Sequence, residues 1–117
     1  MEGREQVCFQ LISNAGAARS ACFEAIRHFK QGATDKGQEL LKTSDNYYTE
    51  AHSWHGQLVK QEAGGDTVWM SLLLTHAEDL MMSAELTKAF AQEFIDLHQE
   101  VAQLKQVVQQ LVPVAEY

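Results

Sequence analysis

The run LLLTHAEDLMMS, residues 72–83, sets a histidine and two acids inside an otherwise apolar stretch. A neutral imidazole is a good nucleophile that titrates near neutral pH. Attack on phosphorus would give a phosphoramidate able to pass its phosphoryl group onward. His76 is therefore the candidate nucleophile. A buried helix would ordinarily carry Ala or Leu at such positions. Either this face lies at the surface, or His76, Glu78 and Asp79 have partners that offset the cost of burial. On spacing alone a structural histidine is the plainer reading.

Other chemistries have less to stand on. His52 and His55 are three residues apart and share one face of a helix. With His76 or Glu78 they could supply metal ligands. An HxxH pair without a second pair is a weak signal, however, and polar helix residues hydrogen-bonded at an interface account for it more simply. His28 and His98 stand beside helix ends or charged neighbours and read as solvated. No Gly-rich phosphate loop, GxSxG elbow, HExxH or CxxC occurs. Cysteine–histidine catalysis would require Cys8 or Cys22 to leave a core stripe.

The elements that position these residues are helical. A chain of 117 residues with 45% hydrophobic content, one proline and seven glycines fits one all-α domain. Cys8, Leu11, Ala15, Ala18, Cys22, Ile26 and Phe29 recur at steps of three and four, the stripe of an amphipathic helix. Lys30-Gln31-Gly32 ends it, and Thr34 or Asp35 can cap a second helix. Leu40, Leu41, Ser44, Tyr48, Ala51, His55 and Leu58 carry that helix to Gly64-Gly65. Asp66 or Thr67 can cap a third. The predicted helices span about 4–31, 34–63 and 67–112, an antiparallel three-helix bundle with an extended third helix.

The third segment holds the sharpest periodicity. Phe90, Phe94, Leu97, Val101, Leu104, Val108 and Leu111 alternate steps of four and three, the period of a coiled-coil seam. Residues 100–112 are expected to project and to pair with copies of themselves. Extended backwards, the seam passes through Leu86, Ser83, Asp79, His76 and Leu72. The polar pair His76 and Asp79 would then lie where subunits meet. A carboxylate repeated about a symmetry axis needs a cation or protons to be tolerated.

Charge and cysteine usage narrow the partners. Sixteen acids against nine bases give a formal charge of −7, with no Lys/Arg cluster, so nucleic acid and anionic membrane surfaces are disfavoured. Cys8 and Cys22 lie too far apart along one predicted helix to bond and read as free buried thiols. MEGREQV lacks a basic stretch followed by a long apolar one, so no signal peptide is expected, and no run approaches the ~18 apolar residues of a membrane span. A cytoplasmic protein is expected.

The segments ISNAGAARSACFEAI (12–26), EAHSWHGQLVKQEAG (50–64) and VWMSLLLTHAEDLMMSAELTKAF (68–90), followed by FIDLHQEV, resemble the lactose/cellobiose-type enzyme IIA component of the bacterial phosphotransferase system. The resemblance runs in order from about residue 5 to 100. It is most specific at His76-Ala77-Glu78-Asp79-Leu80-Met81, where the family pattern is His-Ala/Gly-Gln-Asp-His-Leu-Met. It implies a homotrimer in which His76 accepts a phosphoryl group from the phosphocarrier HPr and passes it to a cysteine of a cognate IIB. The sugar, a β-linked disaccharide of the lactose, cellobiose or chitobiose class, would be phosphorylated only later, on crossing the membrane through IIC. The resemblance also places Asp79 at a divalent cation, Mg being expected, on the three-fold axis.

Three positions depart from the family pattern. His55 replaces Gln, and Glu78 and Leu80 replace Gln and His. Beside the phosphoryl site, Glu78 would add negative charge where a dianion must form, and a protonated His55 would offset part of it. Three alternatives stay open. One is a structural or regulatory trimer that no longer accepts phosphate. Another is a histidine phosphotransfer domain, which Glu78-Asp79 does not fit. The last is a metal-binding bundle using His52, His55 and His76.

Overall fold

A computed structural model describes residues 2–111. Three helices make up its regular structure: α1 (Glu2–Lys30), α2 (Thr34–Ala63) and α3 (Leu72–Leu111). No strand occurs among the described residues. Pro113 and residue 112, the expected end of the third helix, lie outside them.

Backbone hydrogen bonding explains where α1 and α2 stop. After α1, Gly32 takes φ 79°, the Gly32 N–H donates to the Phe29 carbonyl, and the Ala33 N–H donates to that of His28. After α2, Gly65 takes φ 92°, with the Gly65 N–H on the Glu62 carbonyl and the Asp66 N–H on that of Gln61. Each is a Schellman closure, which needs a left-handed residue just past the helix and so favours glycine.

The helix starts differ from the sequence expectation. Ala33, not Thr34 or Asp35, occupies the position before α2, with no side-chain cap. The third helix begins at Leu72 rather than near 67. Its cap is Ser71, whose Oγ accepts from the Leu74 N–H at 3.0 Å and whose carbonyl accepts from the Thr75 N–H. Asp66 and Thr67 belong instead to the connection. Val68 packs against the core there, and the Arg4 guanidinium donates to the Trp69 carbonyl at 2.8 Å. That tertiary anchoring holds 67–71 out of the helix.

Cross-helix contacts give the order of packing. Phe29 of α1 covers Gly37 of α2 so closely that a Cβ on Gly37 would lie 2.6 Å from its ring. Ser44 reaches back to Ala18, so positions along α2 rise as those along α1 fall. Leu80 of α3 lies beside Gly16 and Ser83 beside Arg19, so α1 and α3 run side by side in one direction. Two polar ties also join α2 to α3, His55 to Glu78 and Asp45 to Lys88.

The core is built from small side chains. Ala15, Ala18, Ala21, Ala25, Ala51, Ala77, Ala84 and Ala91 are buried with Cys8, Leu11, Cys22, Leu58, Leu74, Met81 and Ile95. Small residues let helix axes approach closely, but each removes little apolar area from water. The larger apolar groups face outward. Leu86, Phe90, Phe94, Leu97, Val101, Leu104, Val108 and Leu111 are all exposed, whereas the buried face of α3 is Leu74, Ala77, Met81, Ala84, Ala91 and Ile95. The molecule measures 67 × 21 × 19 Å, its length set by the 40-residue α3. Among the described residues no helix is long and apolar enough to cross a membrane.

Two predictions follow from the core. Ser44 is buried, with its Oγ donating to the Ala18 carbonyl at 2.7 Å and lying 3.0 Å from Cys22 Sγ. Ser44→Ala should cost about 1 kcal/mol, read as a lower urea midpoint. Burial pushes the Cys8 and Cys22 thiols up from their ordinary values. Folding then favours the protonated thiols, and stability is complete below the ordinary thiol pKa of about 8.5. It is lost as pH rises from there through the raised folded values. The urea midpoint should therefore fall above about pH 9, and Cys8→Ala/Cys22→Ala should lose this alkaline decline.

Candidate functional site

His76 is the fifth residue of α3 and is exposed. At about 100° per residue, Leu72, Leu73, Asp79 and Leu80 are its neighbours on the helix surface, one turn either side. Leu72 is 88% exposed and Asp79 is exposed as well. No hydrogen bond joins the His76 ring to another described residue, and the residue is exposed. The helix start one turn away favours added negative charge nearby.

Of the three departures from the family pattern, only Leu80 is a helix-surface neighbour of His76. Glu78 lies about 200° round α3 from His76, turned towards α2. Both of its carboxylate oxygens are 2.9 Å from His55 Nδ1. Leu80 is half-buried, packs on the core and leans over Gly16 of α1. Two of the three altered residues thus answer each other across α2 and α3, and the third fills space against α1.

The proposed trio of metal ligands does not form. His55 is held by Glu78, while His52 is exposed with its ring 6.2 Å from Tyr48 and 6.4 Å from His55. Among the described residues no group of three or more His, Cys, Asp or Glu side chains is placed to hold a metal ion. Asp79 is a lone outward carboxylate in one chain, so metal binding gains no support from the single chain. A cation there would need carboxylates from other copies.

Several contacts around this region were not anticipated from sequence. Lys88 joins Asp45 at 2.9 Å and lies 4.6 Å from the Tyr48 ring centre. Arg19 reaches Ser83 at 3.1 Å. Trp69 and Met70 stand exposed in the connection just before α3. The Lys88 and Arg19 pairs are 43 and 64 positions apart in the chain, beyond any local spacing rule. Phe23 and Ile26 of α1 join Leu86, Phe90 and Phe94 of α3 around an open apolar groove of about 290 Å³.

Residues 6–99 match the family described as PTS system, Lactose/Cellobiose specific IIA subunit. The chain belongs to this family. The oligo-beta-mannoside-specific EIIA component of the PTS system of Bacillus subtilis (strain 168) is 39% identical over 93 residues, which cover 80% of this chain and 84% of that protein. The crystal structure of the PTS cellobiose-specific enzyme IIA from Bacillus anthracis matches with a TM-score of 0.81 and 39% identity, covering 85% of this chain and 91% of that one. A chain of the solution structures of the IIA(chitobiose)–HPr complex of Escherichia coli matches with a TM-score of 0.72 and 32% identity, covering 84% and 95%. His76 and Asp79 lie inside the matched stretch of this IIA subunit, and the last turns of α3 lie beyond it.

The His55–Glu78 tie is a quarter exposed on each side, 26% and 25%. Solvent screening at that exposure keeps its strength small. A double-mutant cycle with His55→Gln and Glu78→Gln should return a coupling of about 0.5 kcal/mol. A coupling above about 2 kcal/mol would show a desolvated pair instead.

Proposed function

We propose that this IIA subunit is a phosphoryl carrier with His76 as the residue phosphorylated. The observation that carries the proposal is the placement of His76, exposed and unpartnered on the outer stripe of α3 within the stretch matched by the family. A relay nucleophile must meet one protein to be loaded and another to be emptied. An exposed imidazole with no hydrogen-bond partner among the described residues suits that exchange.

A neutral ring nitrogen of His76 attacks the donor's phosphorus in line. The new N–P bond forms as the bond to the donor nitrogen breaks, and that nitrogen takes back its electron pair. Catalysis is then largely positioning and electrostatics. In the second transfer the thiolate of a IIB cysteine attacks the same phosphorus, and His76 leaves as neutral imidazole. The HPr complex of the Escherichia coli chitobiose IIA supports HPr as the donor. The net charge of −7 suits a donor with a basic rim. The relatives' names support a β-linked oligosaccharide or disaccharide as the sugar eventually phosphorylated.

The assembly belongs to the same reading. Three copies joined along the outer stripe of α3 would cover its exposed apolar side chains and bring the Asp79 carboxylates to one axis. A divalent cation such as Mg would fit a ring of carboxylates there and supply charge neutralisation. Asp79 would hold it. His76, one turn before Asp79, would keep its separate task.

The test is loading of the purified protein by phosphoenolpyruvate, enzyme I and HPr, read as intact mass at alkaline pH, where phosphohistidine survives. One phosphoryl group per subunit is expected, and none on His76→Ala. Glu78→Gln should accept phosphate within about twofold of the wild-type rate, because Glu78 faces α2. Failure of the wild type to gain mass from several HPr donors would remove the carrier role and leave a structural trimer as the reading.

A further inference from the structure

The stretch shared with the family ends at residue 99, yet α3 continues to Leu111. Every residue from 100 to 111 is exposed, so no part of the described chain covers this end. At 1.5 Å per residue the overhang is roughly 18 Å long. An isolated helical arm this short is marginal in water, and this one carries five exposed aliphatic side chains, Val101, Leu104, Val107, Val108 and Leu111. Something must cover it.

The pattern of the arm identifies the occupant. Phe94, Val101 and Val108 fall at heptad position a, and Phe90, Leu97, Leu104 and Leu111 at d. The register runs unbroken from the covered part of α3 into the overhang. Glu100 then falls at g and Lys105 at e, and neither forms an ion pair within the described chain. In a parallel, in-register coil the g side chain of one helix faces the e side chain five residues on in its neighbour. That places Glu100 against Lys105 of the next copy. One heptad earlier, Glu93 and His98 hold the same two positions. Antiparallel pairing would set g against g, acid on acid. Val at a with Leu at d alone suits two strands, but Val107 at g widens the apolar face to that of a bundle helix.

We infer that residues 97–111 form a parallel, in-register coiled coil between copies of this chain, closed by Glu100–Lys105 ion pairs between neighbours. Three strands are taken from the trimer put forward under Proposed function, on which that number rests. The pairing itself rests on the arm. It is a second clamp at the far end of α3 from His76. It holds the subunits together without touching the phosphoryl site.

The test is sedimentation equilibrium of the full chain at low salt for the wild type, Lys105→Glu, Glu100→Lys and the double exchange. Each single variant replaces attraction with repulsion at every interface and should raise the concentration at half dissociation about tenfold. The double exchange should restore it. Added salt should shrink the difference, since these pairs are exposed to screening. All variants should still accept phosphate at His76, which shows that the bundle is folded. Singles that associate like the wild type, or a double exchange as weak as the worse single, would overturn the inference and leave the trimer standing. A monomeric wild type would overturn both.

Discussion

The rest of this structure depends on the smallness of the core side chains. Alanine at eight core positions, with Gly37 pressed under the Phe29 ring, draws the axes together. Phe90, Phe94 and Leu97 turn outward from the face of α3 that buries Met81, Ala84 and Ile95. The chain thus divides its apolar side chains between two surfaces. The small ones close the bundle. With them are buried Leu11, Leu58, Leu74, Met81 and Ile95, while the large apolar side chains from Leu86 to Leu111 form an exposed stripe along α3. A stripe of this length is far larger than scattered surface apolar residues require, and it marks an interaction face.

The same division places His76 on the exposed face of α3. His76 follows the outer stripe, whereas Ala77 and Met81 follow the inner one. One residue of helical rotation separates a buried position from an exposed one, so the register of α3 decides whether the imidazole is available. Ser71 fixes that register at the helix start, and Arg4 fixes the connection leading into it. The polar ties from α2, His55–Glu78 and Asp45–Lys88, hold the other side of α3. They align the helix more than they stabilise it, since exposed ion pairs are individually weak.

A Glu where the family pattern has Gln, two residues from His76, raises the prospect of like-charge repulsion against a phosphoryl group placed there. The fold gives a different account. Glu78 points away from His76 and meets His55, which is itself a departure from the pattern. The two changes form one contact between α2 and α3 and leave the outer face with His76 and Asp79 as the family pattern has them.

Much of this was legible in the sequence. The stripes of the first two segments, the glycine stops at Gly32 and Gly65, and the seam from Phe90 to Leu111 are local repeats, and helical periodicity with turn chemistry is enough to read them. The family was legible because the residues around His76 share a recognisable pattern. The start of α3 was not. Asp66 and Thr67 are good caps by type, yet the bond from Arg4 to Trp69 and the packing of Val68 hold that stretch out of the helix. The meeting of His55 with Glu78 joins positions 23 apart through the packing of two helices, which no local spacing contains. The sequence by itself determined three helices and an apolar stripe, because each is written in periodicity and residue type. Only the tertiary structure decided which face of α3 its own chain would cover, because that choice depends on how closely α1 and α2 can approach it.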